Sequence, residues 1–204
     1  MEVEAKFAVP DEKTFAALEA VEAVATCRVG PGRRRLLHDC YLDTADHRIT
    51  RAGYFCRRRS SDDGTEMTLK SVGAAGDDGL REREELSVTV ETDEGPAAWP
   101  QSEARELALR LTAGRPLEQL FVVRQHRLER SVSRDGPAVA EMALNRVTIE
   151  TQGGDERFLE CELELKGEGT ERDLKELAGA LKQRWTLDAE RESKFELGLA
   201  LAGR

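Results

Sequence analysis

Charged and apolar residues alternate along several short stretches of this chain. In residues 158–166 every second position is charged, and this charged set is Glu160, Glu162, Glu164 and Lys166. The first residues show the same alternation, with Glu2, Glu4 and Lys6 at every second position. Because successive side chains of a β-strand point to opposite faces, both stretches predict strands with one charged face and one apolar face.

Weaker forms of this pattern predict further strands between the two ends. The segments are 27–37, interrupted at Gly30-Pro31-Gly32, then 36–42, 54–59, 67–70, 80–90, 121–132, 139–144 and 146–151. Their charged faces carry Arg57 with Arg59, Thr68 with Lys70, Arg81 and Arg83 with Glu85, Arg127, and Glu141. Residues 81–85 fit two registers, and a slip by one residue would exchange the inward and outward sets.

Apolar residues at helical spacing predict three amphipathic helices. The first follows Asp11 and carries Phe15, Leu18, Val21 and Val24; the second is capped by Ser102 and carries Leu107, Leu109 and Leu111; the third spans 171–184 and carries Leu174, Leu177 and Leu181. Such apolar stripes need a sheet to pack on. The tail 187–201 is expected to end as a short helical or irregular segment.

Together these elements favour an α+β fold in one domain, residues 1–204. We expect an eight-stranded antiparallel β-barrel with the amphipathic helices packed outside it and the charged strand faces inside. Isolated buried charges lose several kcal/mol of solvation each. A barrel interior of this kind is therefore stable when it is wet, and more so when it holds metal cations and an anionic ligand.

Charge and cysteine content narrow the classes of partner. The formal net charge of −9 argues against binding to a nucleic acid duplex, yet arginines are concentrated between residues 28 and 59, as expected for binding a small, highly charged anion. The four cysteines show no CxxC spacing, which predicts buried thiols and a reducing, cytoplasmic location. No apolar stretch is long enough for a membrane span.

An ordered set of motifs resembles the CYTH family, also called the triphosphate tunnel metalloenzymes. These motifs are Glu2-x-Glu4-x-Lys6, Tyr41-Leu42-Asp43-Thr44, Arg57-x-Arg59, Thr68-x-Lys70, Glu160-x-Glu162-x-Glu164 and Ser193-Lys194-Phe195. The resemblance extends along essentially the whole chain. It implies an eight-stranded antiparallel tunnel in which basic residues bind a triphosphate and carboxylates bind Mg²⁺ or Mn²⁺.

The resemblance also implies roles for individual residues. The implied metal ligands are Glu2, Glu4, Glu141, Glu160 and Glu162. The implied substrate-binding residues are Lys6, Arg57, Arg59, Lys70, Arg83, Arg127 and Lys194, and the implied catalytic residues are Glu2, Glu4, Lys6, Arg57, Arg59 and Lys70. Many members carry an aspartate where this chain has Asn145, so a carboxylate contact there is expected to be missing or moved to Glu141.

The implied activity is metal-dependent hydrolysis of a small-molecule triphosphate, such as inorganic triphosphate or thiamine triphosphate, by a monomer or homodimer. The lack of His/Cys clusters argues against zinc. Three alternatives stay open: a class IV adenylyl cyclase that makes cyclic AMP from ATP, a non-catalytic polyphosphate-binding module, and a scaffold whose charged faces simply meet solvent.

Overall fold

The N-terminal alternation forms strand β1, Glu2–Val9, in the computed structural model of the chain. The structure describes residues 2–73, 80–92, 94–189 and 192–203. Phe7 and Val9 are buried in an apolar core on one face of β1, whereas Glu4 and Lys6 are buried on the other face. The prediction of a strand with two different faces is confirmed here, and both faces are covered.

Strands make up most of the described structure. They are β1 (Glu2–Val9), β2 (Ala23–Val24), β3 (Cys27–Asp43), β4 (Tyr54–Ser61), β5 (Gly64–Ser71), β6 (Leu80–Arg83), β7 (Glu85–Val90), β8 (Glu118–Ser133), β9 (Ala138–Thr151), β10 (Gly154–Leu165) and β11 (Asp188–Ala189). The helices are α1 (Glu12–Glu19), α2 (Arg48–Arg51), α3 (Glu103–Thr112), α4 (Glu171–Trp185) and α5 (Lys194–Ala202), with a 3₁₀ turn at Pro96–Ala98.

All the strands belong to one curled sheet. Neighbouring strands follow the order β11-β1-β10-β9-β8-β3-β4-β5-β7, and β2 pairs with β3. Only Glu84 separates β6 from β7, yet β7 pairs with β5 while β6 pairs with β1, antiparallel in both cases. The two ends of the sheet are thereby joined, which confirms the predicted antiparallel barrel architecture.

The division of the chain into strands differs from the prediction in three places. Residues 139–144 and 146–151 form the single strand β9, because Asn145 continues the ladder between Glu160 and Arg127. Residues 80–90, predicted as one strand, are divided at Glu84. The predicted interruption near Pro31 is only a register shift within the long strand β3. Counting β6 and β7 as one strand and setting aside the two-residue β2 and β11, the described strands number eight.

Helix α1 begins as predicted but ends earlier. The carboxylate of Asp11 accepts a hydrogen bond from the backbone N–H of Thr14 at 2.7 Å, as expected of an N-cap. The helix ends at Glu19, so Val21 and Val24 lie beyond it and not on its apolar stripe. Both valines are nevertheless buried in the core beneath α1 and α4.

Four of the helices pack on the outside of the barrel. Helices α1 and α4 cover the apolar faces of β1, β9 and β10, while α2 and α3 cover those of β4, β5 and β7. The stripe Leu174, Leu177 and Leu181 of α4 is fully buried, as predicted. The α+β fold class and the packing of these helices are therefore confirmed.

Helix α5 differs, because it packs against inner faces at one end of the barrel. The ring of Phe195 lies among Tyr41, Phe55 and Phe121, at centroid distances of 5.7, 4.9 and 6.2 Å. Along its strand, each of those three aromatic residues is an even number of positions from a polar residue of the barrel interior, so it lies on the inner face. A Cβ atom at Gly198 would overlap the ring of Phe121, so the helix sits close to the strand. Apolar side chains thus fill this end.

The remaining structural expectations concern membranes and thiols. Within the described residues, no helix has the length and apolar character needed to cross a membrane. The thiols of Cys27, Cys40, Cys56 and Cys161 are all buried and outside any disulfide, as predicted. Burial raises the pKa of the Cys56 thiol to about 12, so this group is unreactive at neutral pH.

Candidate active site

The inner face of the barrel surrounds a cavity of about 240 Å³, and nearly every side chain that lines it is polar or charged. The basic residues of the lining are Lys6, Arg57, Arg59, Lys70, Arg83, Arg127, Lys166 and Lys194. Its acidic residues are Glu2, Glu4, Glu66, Glu85, Glu141, Glu162 and Glu164. The barrel therefore collects in one place charges that the sequence distributes over its whole length.

Strands β1, β5, β6 and β7 meet at one wall of the cavity in a cluster of alternating charges. Lys70 Nζ lies 2.9 Å from both carboxylate oxygens of Glu2 and 3.0 Å from Glu85 Oε2. Arg83 pairs with Glu4 and lies 3.7 Å from Glu2 Oε2. The carboxylates of this wall hold two of the predicted phosphate-binding cations in place.

A second cluster joins the two ends of the chain. Lys6 Nζ lies 3.0 Å from Glu162 Oε1 and 3.6 Å from Glu160 Oε2. Lys194, in the first turn of α5, binds the same two glutamates and lies 3.0 Å from Glu162 Oε1. All four residues are at most 8% exposed. Two lysines from opposite ends of the sequence therefore share a buried pair of carboxylates.

Burial and charge have opposite effects on the pKa values in this cluster. Burial alone would lower the pKa of Lys6, but Glu160 and Glu162 outweigh it and raise that pKa. Burial would likewise raise the pKa of Glu162, yet the surrounding cations, Lys194 first, hold it well below its usual range. Lys6 is therefore cationic and Glu162 anionic at neutral pH.

Asn145 is fully buried between these glutamates and Arg127. Its Nδ2 donates to Glu160 Oε1 and to Glu162 Oε2, each at 3.0 Å, and its Oδ1 accepts from Arg127 Nη1 at 3.2 Å. Arg127 Nη1 also donates to Glu162 Oε2 at 2.7 Å. Because acceptors lie on one side of the Asn145 amide and a donor on the other, only one orientation of this amide gives both its NH2 group and its oxygen hydrogen-bond partners. At the position where the resemblance implied a carboxylate, this chain therefore has an amide that donates to two carboxylates.

Arg59 is bound by Asp39, a fully buried residue that the sequence prediction missed. Arg59 Nε and Nη2 donate to the two carboxylate oxygens of Asp39, each at 2.7 Å. Gln125 Nε2 donates to Asp39 Oδ2 at 2.7 Å, and Arg57 Nη1 lies 4.0 Å from the same oxygen. Two predicted substrate-binding arginines thus face one carboxylate.

Some arginine N–H groups are buried without a hydrogen-bond partner in the described part of the chain. Two of them, Nε of Arg57 and Nε of Arg83, belong to residues that line the cavity; the others, Nε and Nη2 of Arg81 and Nε of Arg105 and Arg134, belong to residues that do not. A buried donor left unpaired costs roughly 1–3 kcal/mol. Unpaired donors beside a cationic cavity favour a ligand rich in acceptor oxygens.

Four carboxylates of the cavity form a row across three strands. Glu4 lies directly opposite Glu164 on β10, and Glu164 lies opposite Glu141 on β9, with Glu2 next along β1. Carboxylate oxygens are the ligands that Mg²⁺ and Mn²⁺ prefer, so the chemistry of this row fits either cation. As placed here, no three His, Cys, Asp or Glu residues among those described converge to hold a metal.

The structure brings together nearly all of the predicted site residues. Every residue of the implied substrate-binding set lines the cavity, and so do Glu2, Glu4, Glu141 and Glu162 of the implied metal set. Glu160 does not line it; this residue is 2% exposed beside Lys6 and Lys194. For residues 81–85 the structure selects the register that places Arg83 and Glu85 at the cavity. The chemical roles of these residues remain predictions.

Three cavity or anchoring residues escaped the sequence prediction. Asp39 precedes Tyr41 by two positions, Gln125 precedes Arg127 by two, and Glu66 precedes Thr68 by two. Each therefore shares the face of a residue that was identified. Extending the alternation along each strand would have found all three, although a single polar residue on a strand carries little signal alone.

Solved structures share this fold at low sequence identity. The Hippeastrum protein HpAC1, a proposed adenylyl cyclase described as having a dominant triphosphatase activity, matches with a TM-score of 0.73 and 17% identity, over 98% of this chain and 96% of its own. A proposed adenylate cyclase from Bacillus halodurans matches with a TM-score of 0.61 and 19% identity, over 97% and 96%. The capping enzyme triphosphatase of Mimivirus matches with a TM-score of 0.51 and 11% identity, over 89% and 88%. At these identities the matches show the fold alone.

No curated protein matches the chain by sequence. One family profile nevertheless spans almost all of it: the profile described as CYTH domain matches residues 1–196. That range contains every residue lining the cavity, from Glu2 on β1 to Lys194 on α5. The chain therefore belongs to the CYTH domain family.

Proposed function

We propose that this protein is a metal-dependent triphosphatase that hydrolyses inorganic triphosphate or a small organic triphosphate such as thiamine triphosphate. The observation that carries the proposal is the cavity, in which lysines and arginines from β1, β4, β5, β6, β8 and α5 surround a row of carboxylates. A triphosphate carries about four negative charges, which guanidinium and ammonium groups neutralise through charge-assisted hydrogen bonds. Triphosphatase activity is also part of the description of two proteins with the same fold.

The basic residues divide into two chemical kinds. Arg57 and Arg59 on β4 and Arg127 on β8 present planar guanidinium groups, each able to bind two phosphate oxygens. Lys6 and Lys194 add compact ammonium charges from β1 and α5. In hydrolysis, these groups bind and orient the phosphates and offset the charge that develops on the leaving oxygen.

The carboxylate row supplies the ligands for the metal. We assign them to Glu2, Glu4 and Glu141 of the predicted set, together with Glu164. Bound there, Mg²⁺ or Mn²⁺ would neutralise phosphate oxygens and lower the pKa of the water that attacks the terminal phosphorus. Glu2 and Glu4 also pair with cations, Lys70 and Arg83 respectively. Glu160 and Glu162, which the resemblance implied as ligands, are more heavily paired, because each accepts hydrogen bonds from Lys194 and Asn145 and also forms an ion pair with Lys6. We propose that these two glutamates hold Lys6 and Lys194 in position.

Product analysis tests the proposal directly. The purified protein would be given inorganic triphosphate, thiamine triphosphate and ATP separately, with Mg²⁺, with Mn²⁺ and with a chelator. Phosphate release that requires the metal is expected, and the three rates rank the substrates. A matched variant, Glu4→Gln, keeps the shape of the side chain but lowers its affinity for a cation, so it should need more metal for the same rate.

Other products would contradict triphosphatase activity. Cyclic AMP and pyrophosphate from ATP would identify an adenylyl cyclase instead. Binding of inorganic triphosphate without any product would identify a binding module, and neither binding nor turnover would leave the charged interior a purely structural feature.

A further inference from the structure

Asp39 is a buried carboxylate that lies beside the cavity but does not line it. It is 0% exposed, and its two oxygens accept hydrogen bonds from Nε and Nη2 of Arg59, each at 2.7 Å. Arg59 itself lines the cavity. The geometry is the bidentate fork of a strong arginine–carboxylate pair, so it fixes the plane of the guanidinium group as well as its position.

The orientation of Asp39 is itself fixed by Gln125. Gln125 is 1% exposed, and its Nε2 donates to Asp39 Oδ2 at 2.7 Å. Rotating this amide by half a turn would place its oxygen against the carboxylate, which is repulsive. Oδ2 therefore receives donors from two sides, Arg59 on β4 and Gln125 on β8, and the three side chains form one network across the sheet.

This network leaves part of Arg59 available to a ligand. A guanidinium group has five N–H donors, and Asp39 takes one from Nε and one from Nη2. The Nη1 donors form no hydrogen bond with other described residues. An arginine side chain loses roughly 2 kcal/mol of rotamer entropy when it is immobilised. Because Asp39 has already immobilised Arg59, that cost falls on folding and not on substrate binding.

The same carboxylate also reaches the second arginine of β4. Arg57 Nη1 lies 4.0 Å from Asp39 Oδ2, and its Nη2 donates to Thr68 Oγ1 at 3.4 Å. Burial alone would raise the pKa of Asp39, but Arg59 and then Arg57 outweigh it and lower that pKa. The carboxylate is therefore ionised at neutral pH and can hold both cations.

We propose that Asp39, supported by Gln125, is a positioning residue that orients Arg59 for binding a phosphate group of the substrate. This inference rests on the proposed triphosphatase function. It predicts that neutralising Asp39 lowers kcat/KM, which is the opposite of what a simple charge effect would do. Removing one negative charge near the cavity would by itself strengthen the binding of a triphosphate, whereas losing the orientation of Arg59 weakens catalysis.

A double-mutant cycle on kcat/KM for inorganic triphosphate separates these effects. Asp39→Asn keeps the size of the side chain but removes its charge and one of its acceptors. We expect it to lower kcat/KM on the order of 10- to 100-fold, as misplacement of a binding group does. In an Arg59→Ala background the same change should have an effect of about twofold or less, because the group on which Asp39 acts is gone.

Asp43 is a matched control, a buried aspartate four residues further along the same strand. It is 0% exposed, and its carboxylate accepts hydrogen bonds from the backbone N–H groups of Thr44, Ile49 and Thr50, so it stabilises the start of α2 and lies outside the cavity lining. Asp43→Asn should lower Tm with little change in kcat/KM. Gln125→Met removes only the supporting donor, and it should lower kcat/KM in the same direction as Asp39→Asn but less.

The outcomes that overturn the inference are distinct from failure of the proposed function. Unchanged or raised kcat/KM in Asp39→Asn, an equal loss in both backgrounds, or an equal loss in Asp43→Asn would each overturn the positioning role. If the proposed function is wrong, the wild-type protein itself will release no phosphate. Binding of inorganic triphosphate, measured by calorimetry, would then decide. Weaker binding by Asp39→Asn than by the wild type supports the inference, and equal or tighter binding overturns it. No binding by the wild type overturns both the inference and the proposed function.

Discussion

Lys6 and Glu162 lie directly opposite each other on β1 and β10, and Lys6 Nζ is 3.0 Å from Glu162 Oε1. The same carboxylate is bound by Lys194 of α5 and by Arg127 of β8. One glutamate thus connects cations from three elements, each of which is a candidate phosphate ligand. The interactions that hold the barrel wall to α5 and those that would bind the substrate are carried by the same side chains.

Lys6→Ala should lower triphosphate hydrolysis by roughly 100-fold or more, since it removes a charged donor from the proposed phosphate-binding set. Its effect on Tm should be modest, because Lys194 and Arg127 still pair with Glu162. The control is Lys13→Ala, an exposed lysine on α1. Wild-type turnover by Lys6→Ala would contradict the assignment of Lys6 to the site.

The Lys6–Glu162 cluster should stabilise the fold over a defined range of pH. The pKa of Glu162 is lowered in the folded chain, so its contribution is present above its ordinary value of 4.5 and is lost as pH falls below that value. The pKa of Lys6 is raised, so its contribution is present below its ordinary value of 10.5 and is lost as pH rises further. Denaturant unfolding across this range should therefore show a plateau between these limits. In Lys6→Ala the alkaline decrease should be smaller; an identical decrease would contradict the role of Lys6.

Two glycine substitutions should have opposite effects on stability. Gly198→Ala on α5 places a methyl group against the ring of Phe121, and overpacking of this kind costs about 1–3 kcal/mol. Gly179→Ala on α4 meets nothing within 4 Å, so it should stabilise the helix by about 0.5–1 kcal/mol.

Thermal unfolding and kinetics of both variants check this pair. Gly198→Ala should also lower activity, because α5 carries Lys194, whereas Gly179→Ala should not change activity. A neutral result for Gly198→Ala would show that α5 can move away from the strand without cost.

Asn145→Asp should destabilise the chain without metal and make its stability depend on metal. The change replaces a donor shared by Glu160 and Glu162 with a third buried carboxylate, a cost on the order of 3–5 kcal/mol. A divalent cation bound by the three carboxylates would recover part of that loss. Thermal unfolding with and without Mg²⁺ or Mn²⁺ should show a larger shift for Asn145→Asp than for the wild type.

Asn145→Ala is the control for this prediction, because it removes the donor without adding a charge. It should lower Tm with no added dependence on metal. An equal metal-induced shift in all three proteins would contradict the expected new site.

Alternation of charge along strands predicted most of the candidate site, because that pattern is local and shows which side chains of each strand share a face. It placed Glu2, Glu4 and Lys6 together, and it gave the correct inward set for Arg83 and Glu85 once one of the two registers was chosen. Asp39 was missed for the opposite reason: its importance comes from Arg59 and Gln125 on neighbouring strands, and no local pattern shows those contacts.

The helix at the end of the barrel shows a second limit of sequence reasoning. Apolar spacing predicts that a helix has a face to bury, but it does not say which side of a sheet will receive it. Phe195 packs on inner-face aromatic residues because those strands change from charged to apolar side chains along their length. That change was visible at Tyr41 and Phe121 only after the strands had been paired.

Strand β1 has neighbours on both sides, β10 along one edge and β6 with β11 along the other. Its two principal neighbours are β6 (Leu80–Arg83) and β10 (Gly154–Leu165), so β1 cannot be paired on both edges until β10 has been made. Folding of this protein is therefore dominated by non-local contacts, which form slowly because long loops must close first. During synthesis the candidate site stays incomplete until α5 has been made and brings Lys194 to the carboxylates that Lys6 faces.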